Sequence, residues 1–403
     1  MSAAPQVVIT GGSAAFPIRD FLTRTNVRFV YRDDDGPAGI AVCTLADGTC
    51  LESPTLQELA EHLGLLTAPS SGVFDVAIIG AGPAGLAAAV YAASEGLTTA
   101  LLEREAPGGQ AGTSASIENY LGFPGGISGA DLAERAREQA LGFGVEMLLL
   151  REVVAGEPEV GAFRSELSDG TTLRSRCVLC ATGVTWRRLD APGIERLLHS
   201  GVYYGSAISE APGLRGKDVF VVGGGNSAGQ AAMNFSQLAR NVTIVVRGDG
   251  LAASMSSYLS QRIDKAGNVS IRTHAEVASV DGDDWLRSIT FRDRRTGQTE
   301  TVDAHAVFIC IGGAPRTEWA QDAGLVLDAA GYLVTGRDVF DPALNGGRAV
   351  WSLDRDPYPL ETSQPGLFAA GDVRHGSTKR VSAAVGEGAM AVGLVHRYLA
   401  ETA

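Results

Sequence analysis

Two glycine-rich runs carry the clearest chemical signal in this 403-residue chain: Gly80-Ala81-Gly82-Pro83-Ala84-Gly85 and Gly223-Gly224-Gly225-Asn226-Ser227-Ala228. Glycines at the first and third positions permit a tight turn and a close approach of backbone to a pyrophosphate. A small residue at the sixth lets the following helix pack on the preceding strand. The N-terminus of that helix then faces the phosphates with unpaired N–H groups. About 20 residues further on, a charged side chain reads the adenosine ribose. Glu103 stands there after the first run and Arg247 after the second. A carboxylate suits ribose hydroxyls, whereas a guanidinium suits a 2′-phosphate that a carboxylate would repel, so the second run favours NADPH over NADH.

For these residues to act, each run must join a strand to a helix. Residues 74–79 are apolar and predict a strand, the alanine-rich stretch after Gly82 predicts a helix ending near Gly96, and 98–102 predict a strand delivering Glu103. The same order begins again 143 residues later, with a strand at Asp218–Val222, a helix to about Leu238 and a strand at 242–246 leading to Arg247. An α/β chain with two Rossmann-like three-layer domains follows.

Composition is consistent with this. The 51 glycines exceed the roughly 28 expected at about 7 per cent usage, and the excess suits tight turns. A formal charge of −13 and a pI near 5.0 argue against nucleic acid as a partner. The apolar stretch 73–93 is interrupted by Asp75, three glycines and Pro83, which argues against a membrane span. Residues 1–12 show neither a basic segment nor an apolar run of the secretory kind, so the cytoplasm is the expected compartment. Five cysteines read as cytosolic thiols, and six scattered histidines predict no metal site.

With both runs placed, residues 73–403 resemble the low-molecular-weight thioredoxin reductase family, in which an FAD domain is split by an inserted nicotinamide domain. Gly108-Gly109-Gln110 and Glu118-Asn119-Tyr120 resemble its flavin-contacting loop, Ala181-Thr182-Gly183 its exit hinge, and Ile311-Gly312-Gly313 its return. Gly366 to Asp372 resemble its closing strand, whose aspartate accepts a hydrogen bond from the ribityl chain. Lys379-Arg380-Val381 fall where the family places backbone beside the isoalloxazine ring. The resemblance implies an FAD domain at 73–185 and 316–403, contacted by Pro83, Ala84, Gly109, Gln110, Asn119, Thr182, Gly183, Gly371 and Asp372. It implies an NAD(P)H domain at 186–315 that includes Gly312, a homodimer, and hydride transfer from nicotinamide to flavin.

The chain departs from that family at the redox centre. Counting back from Gly223 without gaps, the expected Cys-x-x-Cys segment is Ser206-Ala207-Ile208-Ser209-Glu210. A hydroxyl cannot form a reversible disulfide, so thioredoxin reduction through this position has no carrier. Glu210 either donates a proton there or faces solvent. The Cys177-Val178-Leu179-Cys180 run lies in an apolar strand, not at a helix N-terminus where such pairs become reactive, and is expected to be core. Gly248 and Ala252 replace family arginines after Arg247, which leaves NADH open as the donor. Electrons then go to a small organic substrate, a ferredoxin-like protein or dioxygen. A flavin sensor that docks a partner, and a disulfide reductase without internal cysteines, are the competing readings.

The first seventy residues predict strands at 6–10, 27–31 and 39–45 and helices at 15–24 and 55–63. They resemble a shortened glutaredoxin or thioredoxin with Ser13-Ala14-Ala15-Phe16 at the redox position, hence no active thiol. Packing, dimerisation or partner docking is the implied role. Near the other end, Arg374, Lys379 and Arg380 either attract an anionic partner or stabilise reduced flavin, and His375 reads as a turn residue. The segment 337–360 either covers the flavin or lies on the surface.

Overall fold

In the computed structural model, residues 6–32, 39–70, 72–114, 116–205, 213–251, 255–347 and 350–402 are described. Short apolar runs with no polar alternation form parallel strands, because a strand covered on both faces has no side to offer water. Val73–Ile79 lies between Thr99–Glu103 and Thr172–Cys180 in a seven-stranded sheet. Glu146–Leu149 extends one edge in parallel, Leu367–Ala369 pairs the end of Thr172–Cys180, and Val153–Glu159 with Ala162–Leu167 form an antiparallel hairpin on its start.

Small residues decide how the helices cover this sheet. Pro83–Ser94 buries Ala84, Gly85, Ala88, Ala89 and Ala92, which lets its backbone come close to the long helix Val381–Glu401. At the crossing, a Cβ on Gly388 would lie 2.1 Å from the Ala84 carbonyl oxygen.

Between the two halves of that sheet the chain builds a second one. Val202–Tyr204, Ala306–Ile309, Asp218–Val222, Asn241–Val245 and Val269–Arg272 lie side by side, all parallel. Its helix Asn226–Phe235 packs through Phe235 on Phe308, ring centroids 4.1 Å apart, and Phe308 stacks on Tyr203 at 5.2 Å. An antiparallel layer of Ala275–Gly282, Leu286–Asp293 and Thr299–Asp303 covers the other face. The strands that leave and re-enter the first sheet's half of the molecule, Thr185–Trp186 and Gly313–Ala314, pair with each other.

The first residues make their own sheet, in the order Phe29–Arg32, Val7–Thr10, Val42–Leu45, Cys50–Glu52, with the first pair parallel and the rest antiparallel. Helices Phe16–Arg24 and Leu56–His62 cover it. The second helix begins with a capping box between Thr55 and Glu58. Thr67 donates to the Met147 carbonyl at 3.0 Å and so ties this module to the edge strand of the large sheet.

The segment 337–360 is tied down near its end. Arg355 makes a bidentate pair with the fully buried Glu361, at 2.7 and 3.0 Å, and also donates to Glu401 at 2.8 Å. Tyr358 is buried and binds Glu401 as well. Glu401 closes the 21-residue helix that begins at Val381, so this anchor lies about 30 Å from the helix start where flavin was expected. The anchored part packs against the C-terminal end of that helix. Among the described residues no helix is long and apolar enough to cross a membrane, and no cluster of metal-ligating side chains occurs.

The helix crossing yields a matched prediction. Gly388→Ala forces a methyl into the Ala84 carbonyl and should cost about 1–3 kcal/mol. Gly393→Ala, in the same helix with nothing within 4 Å of its Cβ position, should gain about 0.5–1 kcal/mol. Urea unfolding of both variants checks the contrast.

Candidate functional site

The two glycine runs fold into the same backbone device. Gly80 has φ +104 and Gly223 φ +138, a region that L side chains rarely adopt. A Cβ on Gly80 would lie 2.6 Å from the Ala181 carbonyl oxygen, and one on Gly223 would lie 2.2 Å from that of Cys310. Gly80 N–H donates to Leu102 O at 2.8 Å, and Gly223 N–H to Val245 O at 2.9 Å. In each case the strand end is wedged between its two parallel neighbours. The helices then start at extended Gly82 and Gly225, neither with a side-chain cap, so their first N–H groups are left for an anion. Pro83 takes the first helical position, and Gly85 sits so close to Gly80 that a Cβ would reach its carbonyl oxygen at 1.8 Å. The only atom near a Cβ on Gly82 would be Gly109 Cα at 4.0 Å, so bare backbone faces the space a pyrophosphate needs.

Glu103 ends its strand buried, with Oε2 accepting from Ala81 N–H at 2.8 Å and Oε1 from Glu105 N–H at 2.9 Å. Burial pushes its carboxyl above the usual range, against those two hydrogen bonds. Gly108 donates to Ala81 O at 2.8 Å and brings Gly109 and Gln110 over the turn, where the Gln110 amide donates to Val184 O at 2.8 Å. Thr182 and Gly183, φ +62, follow directly at the strand end. Asn119 is exposed on its loop, next to Glu118, which pairs with Arg262 of the second domain.

Gly371 enters from the other side, where a Cβ would lie 3.0 Å from that of Ala84. Its N–H donates to Glu387 at 2.7 Å, and the same carboxylate takes Arg374 at 2.6 and 3.1 Å. Arg374 is therefore committed inside the protein, which corrects its reading as a cation for an external anion. Burial raises the Asp372 carboxyl, opposed by the Lys379 ammonium, and burial lowers Lys379. Lys379 donates to Asp372 O at 2.5 Å and lies 4.2 Å from the Tyr332 ring centroid. Arg380, exposed, precedes the helix that starts at Val381 and gives it no side-chain cap. His375 is more than a turn residue: its Nδ1 meets Asp328 at 2.6 Å. No sequence spacing pointed to Asp328 or Glu387 as partners.

At the second turn, Asn226 accepts from Ser256 N–H at 2.8 Å, Ser227 is exposed and Ala228 is buried under the helix. Arg247 is exposed where the strand Asn241–Val245 leads, and its carbonyl accepts from Arg294 at 3.3 Å. Arg294, next to the antiparallel layer, thus meets the Arg247 backbone, and its guanidinium also pairs with Glu276 at 3.5 Å. Asp249, on the loop after Arg247, lies 3.3 Å from His274 of the next crossover. Gly312, φ +87, lies in the return crossover. Ser206, Ser209 and Glu210, and likewise Ala252, lie outside the described residues.

Four of the five thiols, Cys43, Cys177, Cys180 and Cys310, are buried. Cys177 and Cys180 face different apolar clusters on opposite sides of the large sheet. Burial pushes the Cys177 and Cys310 thiols up to about 12 and Cys43 to about 11, and raises Cys180 against a hydrogen bond with Thr182. A thiol raised this far stays protonated and unreactive in mild base. At about pH 8 a disulfide dye should therefore titrate a single thiol per native chain, the exposed Cys50, and all five in guanidinium. Rapid reaction of a second thiol would contradict the sealing.

The family model for pyridine nucleotide-disulphide oxidoreductases matches residues 74–388. The chain is 33% identical over 326 residues to a thioredoxin reductase of Treponema pallidum, covering 81% of this chain and 97% of that protein. It is 31% identical over 341 residues to one component of the alkyl hydroperoxide reductase of Staphylococcus epidermidis, covering 84% of this chain but 62% of that longer protein. Among solved structures, Lactococcus lactis thioredoxin reductase aligns with TM-score 0.72 at 31% identity, covering 81% of this chain and 99% of that one. The T. acidophilum enzyme also aligns with TM-score 0.72 at 31% identity, covering 83% and 100%. Two glycine turns of one design on two parallel sheets joined by paired crossover strands have this common explanation: the chain belongs to the pyridine nucleotide-disulphide oxidoreductase family, as a thioredoxin reductase-like flavoprotein.

Proposed function

We propose that this protein is an FAD-dependent NAD(P)H oxidoreductase that delivers electrons to an acceptor without an internal dithiol. The observation that carries the reading is the repeated turn, with bare helix N-termini at Gly82 and Gly225 and a charged residue of opposite sign closing each unit, Glu103 and Arg247. The first turn fits FAD, since Gly82 leaves its backbone open and Glu103 ends the neighbouring strand. The second fits a nicotinamide dinucleotide, with the exposed Arg247 after its neighbouring strand for a 2′-phosphate. When bound, the two cofactors supply the two-electron chemistry, and the protein supplies position and field.

In this reading residues 73–185 and 316–403 form the FAD domain and 186–315 the nicotinamide domain. Asp372 orients the ribityl chain. The N-terminus of Val381–Glu401, with Lys379 and Arg380, gives positive potential where negative charge develops on reduction. Ser206 and Ser209 at the family's dithiol position, and the sealing of Cys177 and Cys180, leave the acceptor to collect electrons directly. The acceptor is then a small molecule or an electron-carrier protein.

Anaerobic addition of NADPH or NADH to purified protein should bleach the oxidised flavin band within the turnover time, while oxidised thioredoxin is not reduced. Absence of bleaching with both nucleotides would favour a sensor and sink the proposal. Arg247→Ala should lower the ratio of kcat/KM for NADPH to that for NADH by roughly tenfold, through loss of one charge-assisted phosphate contact. An unchanged ratio removes Arg247 from nucleotide choice.

A further inference from the structure

The N-terminal module has no thiol at its redox position, yet one of its side chains is built into the first nucleotide site. Arg24 ends the helix Phe16–Arg24 and is only 8% exposed. Its guanidinium donates to the Ala106 carbonyl at 2.7 Å and to that of Gly109 at 3.4 Å. Asp20 at 3.4 Å and Glu105 at 3.9 Å balance its charge. A guanidinium is costly to bury unless its charge and donors are met; here both terminal nitrogens have partners and the charge is balanced, while the buried Nε has no partner among the described residues.

Those carbonyls belong to the loop that lies on the glycine turn. Gly108 and Gly109 take φ +98 and +53, and a Cβ on Gly109 would stand 3.2 Å from Gly82 Cα. Gly108 N–H holds Ala81 O, and Ala81 N–H holds Glu103. Glycine backbone of this kind has little preference of its own for one shape, so contacts from outside must fix it. Arg24 supplies two of them, through the carbonyls of Ala106 and Gly109. Ala106 is itself buried in the module's apolar core. At the other end of the same helix, Phe16 stacks on His199 of the inserted domain, centroids 4.5 Å apart and planes 18° apart. The helix is thus fixed at both ends, and Arg24 has a firm base.

We infer that Arg24 is a positioning residue of the FAD site: it grips the carbonyls of Ala106 and Gly109 and holds the 106–112 loop against Gly82, which makes the N-terminal module part of that site. This inference rests on the FAD reading above. The module's contribution is structural support for a cofactor, in place of thiol chemistry.

The test uses the full chain with Arg24→Ala, Arg24→Gln and Arg24→Lys. FAD dissociation is followed by the fluorescence of released flavin, and hydrogen exchange of 103–112 is measured on flavin-free protein. Arg24→Ala should weaken FAD about ten- to a hundredfold and speed exchange in that loop. Exchange around 223–235 and KM for the nicotinamide nucleotide should stay within about twofold. Arg24→Lys, whose ammonium still reaches one carbonyl, should recover part of the affinity and Arg24→Gln less. If Arg24→Ala loosens both nucleotide turns alike, the Lys and Gln variants, which keep the stem packed, decide by the same two measurements. Unchanged FAD affinity overturns the inference even if the loop exchanges faster. A wild-type chain that binds no FAD, with an Arg24-dependent loop, overturns the cofactor assignment instead.

Discussion

A strand that ends against a neighbour's carbonyl oxygen can turn into a helix only where no side chain fills the gap. This chain meets that condition twice, at Gly80 against Ala181 and at Gly223 against Cys310. Everything around the two turns follows from it. The strand ends are brought to one level by parallel pairing, the helix starts face open space, and the residues after the neighbouring strands, Glu103 and Arg247, arrive beside them. A methyl group at either first glycine would push the strand away from its partner and spoil the turn into the helix.

Around the start of the C-terminal helix, electrostatics follow from commitments made within the protein. Glu387 gathers both the Gly371 N–H and the Arg374 guanidinium, so one carboxylate fixes the turn that presents Asp372. Asp328 holds His375 on the same side. With Arg374 neutralised, the positive field left there comes from Lys379, Arg380 and the helix N-terminus.

Beyond the crossover strands, Glu118 pairs with Arg262 of the second nucleotide-type domain, and Phe16 stacks on His199 of that same domain. The second of these passes through the N-terminal module, which also reaches the Glu103–Gly109 loop through Arg24. A segment that looks like an idle relic when read for thiols is therefore packed against both halves of the molecule.

The amino-acid sequence determined the parts governed by local chemistry. Glycine spacing, apolar runs and the Pro83 start placed both strand-turn-helix units to within a residue or two at most ends, because these depend on neighbours along the chain. The helix expected to reach Leu238 stops at Phe235, and the strand Cys50–Glu52 was missed, since three residues leave too little pattern. Tertiary structure alone decided the partners of several arginines: Arg24 with the Ala106 carbonyl, Arg262 with Glu118, Arg374 with Glu387, and Arg355 with Glu401. An arginine and its partner carry no shared spacing when more than a few turns separate them. What brings them together is the packing of small-residue helices on buried sheets, a property of the whole fold that no local pattern records.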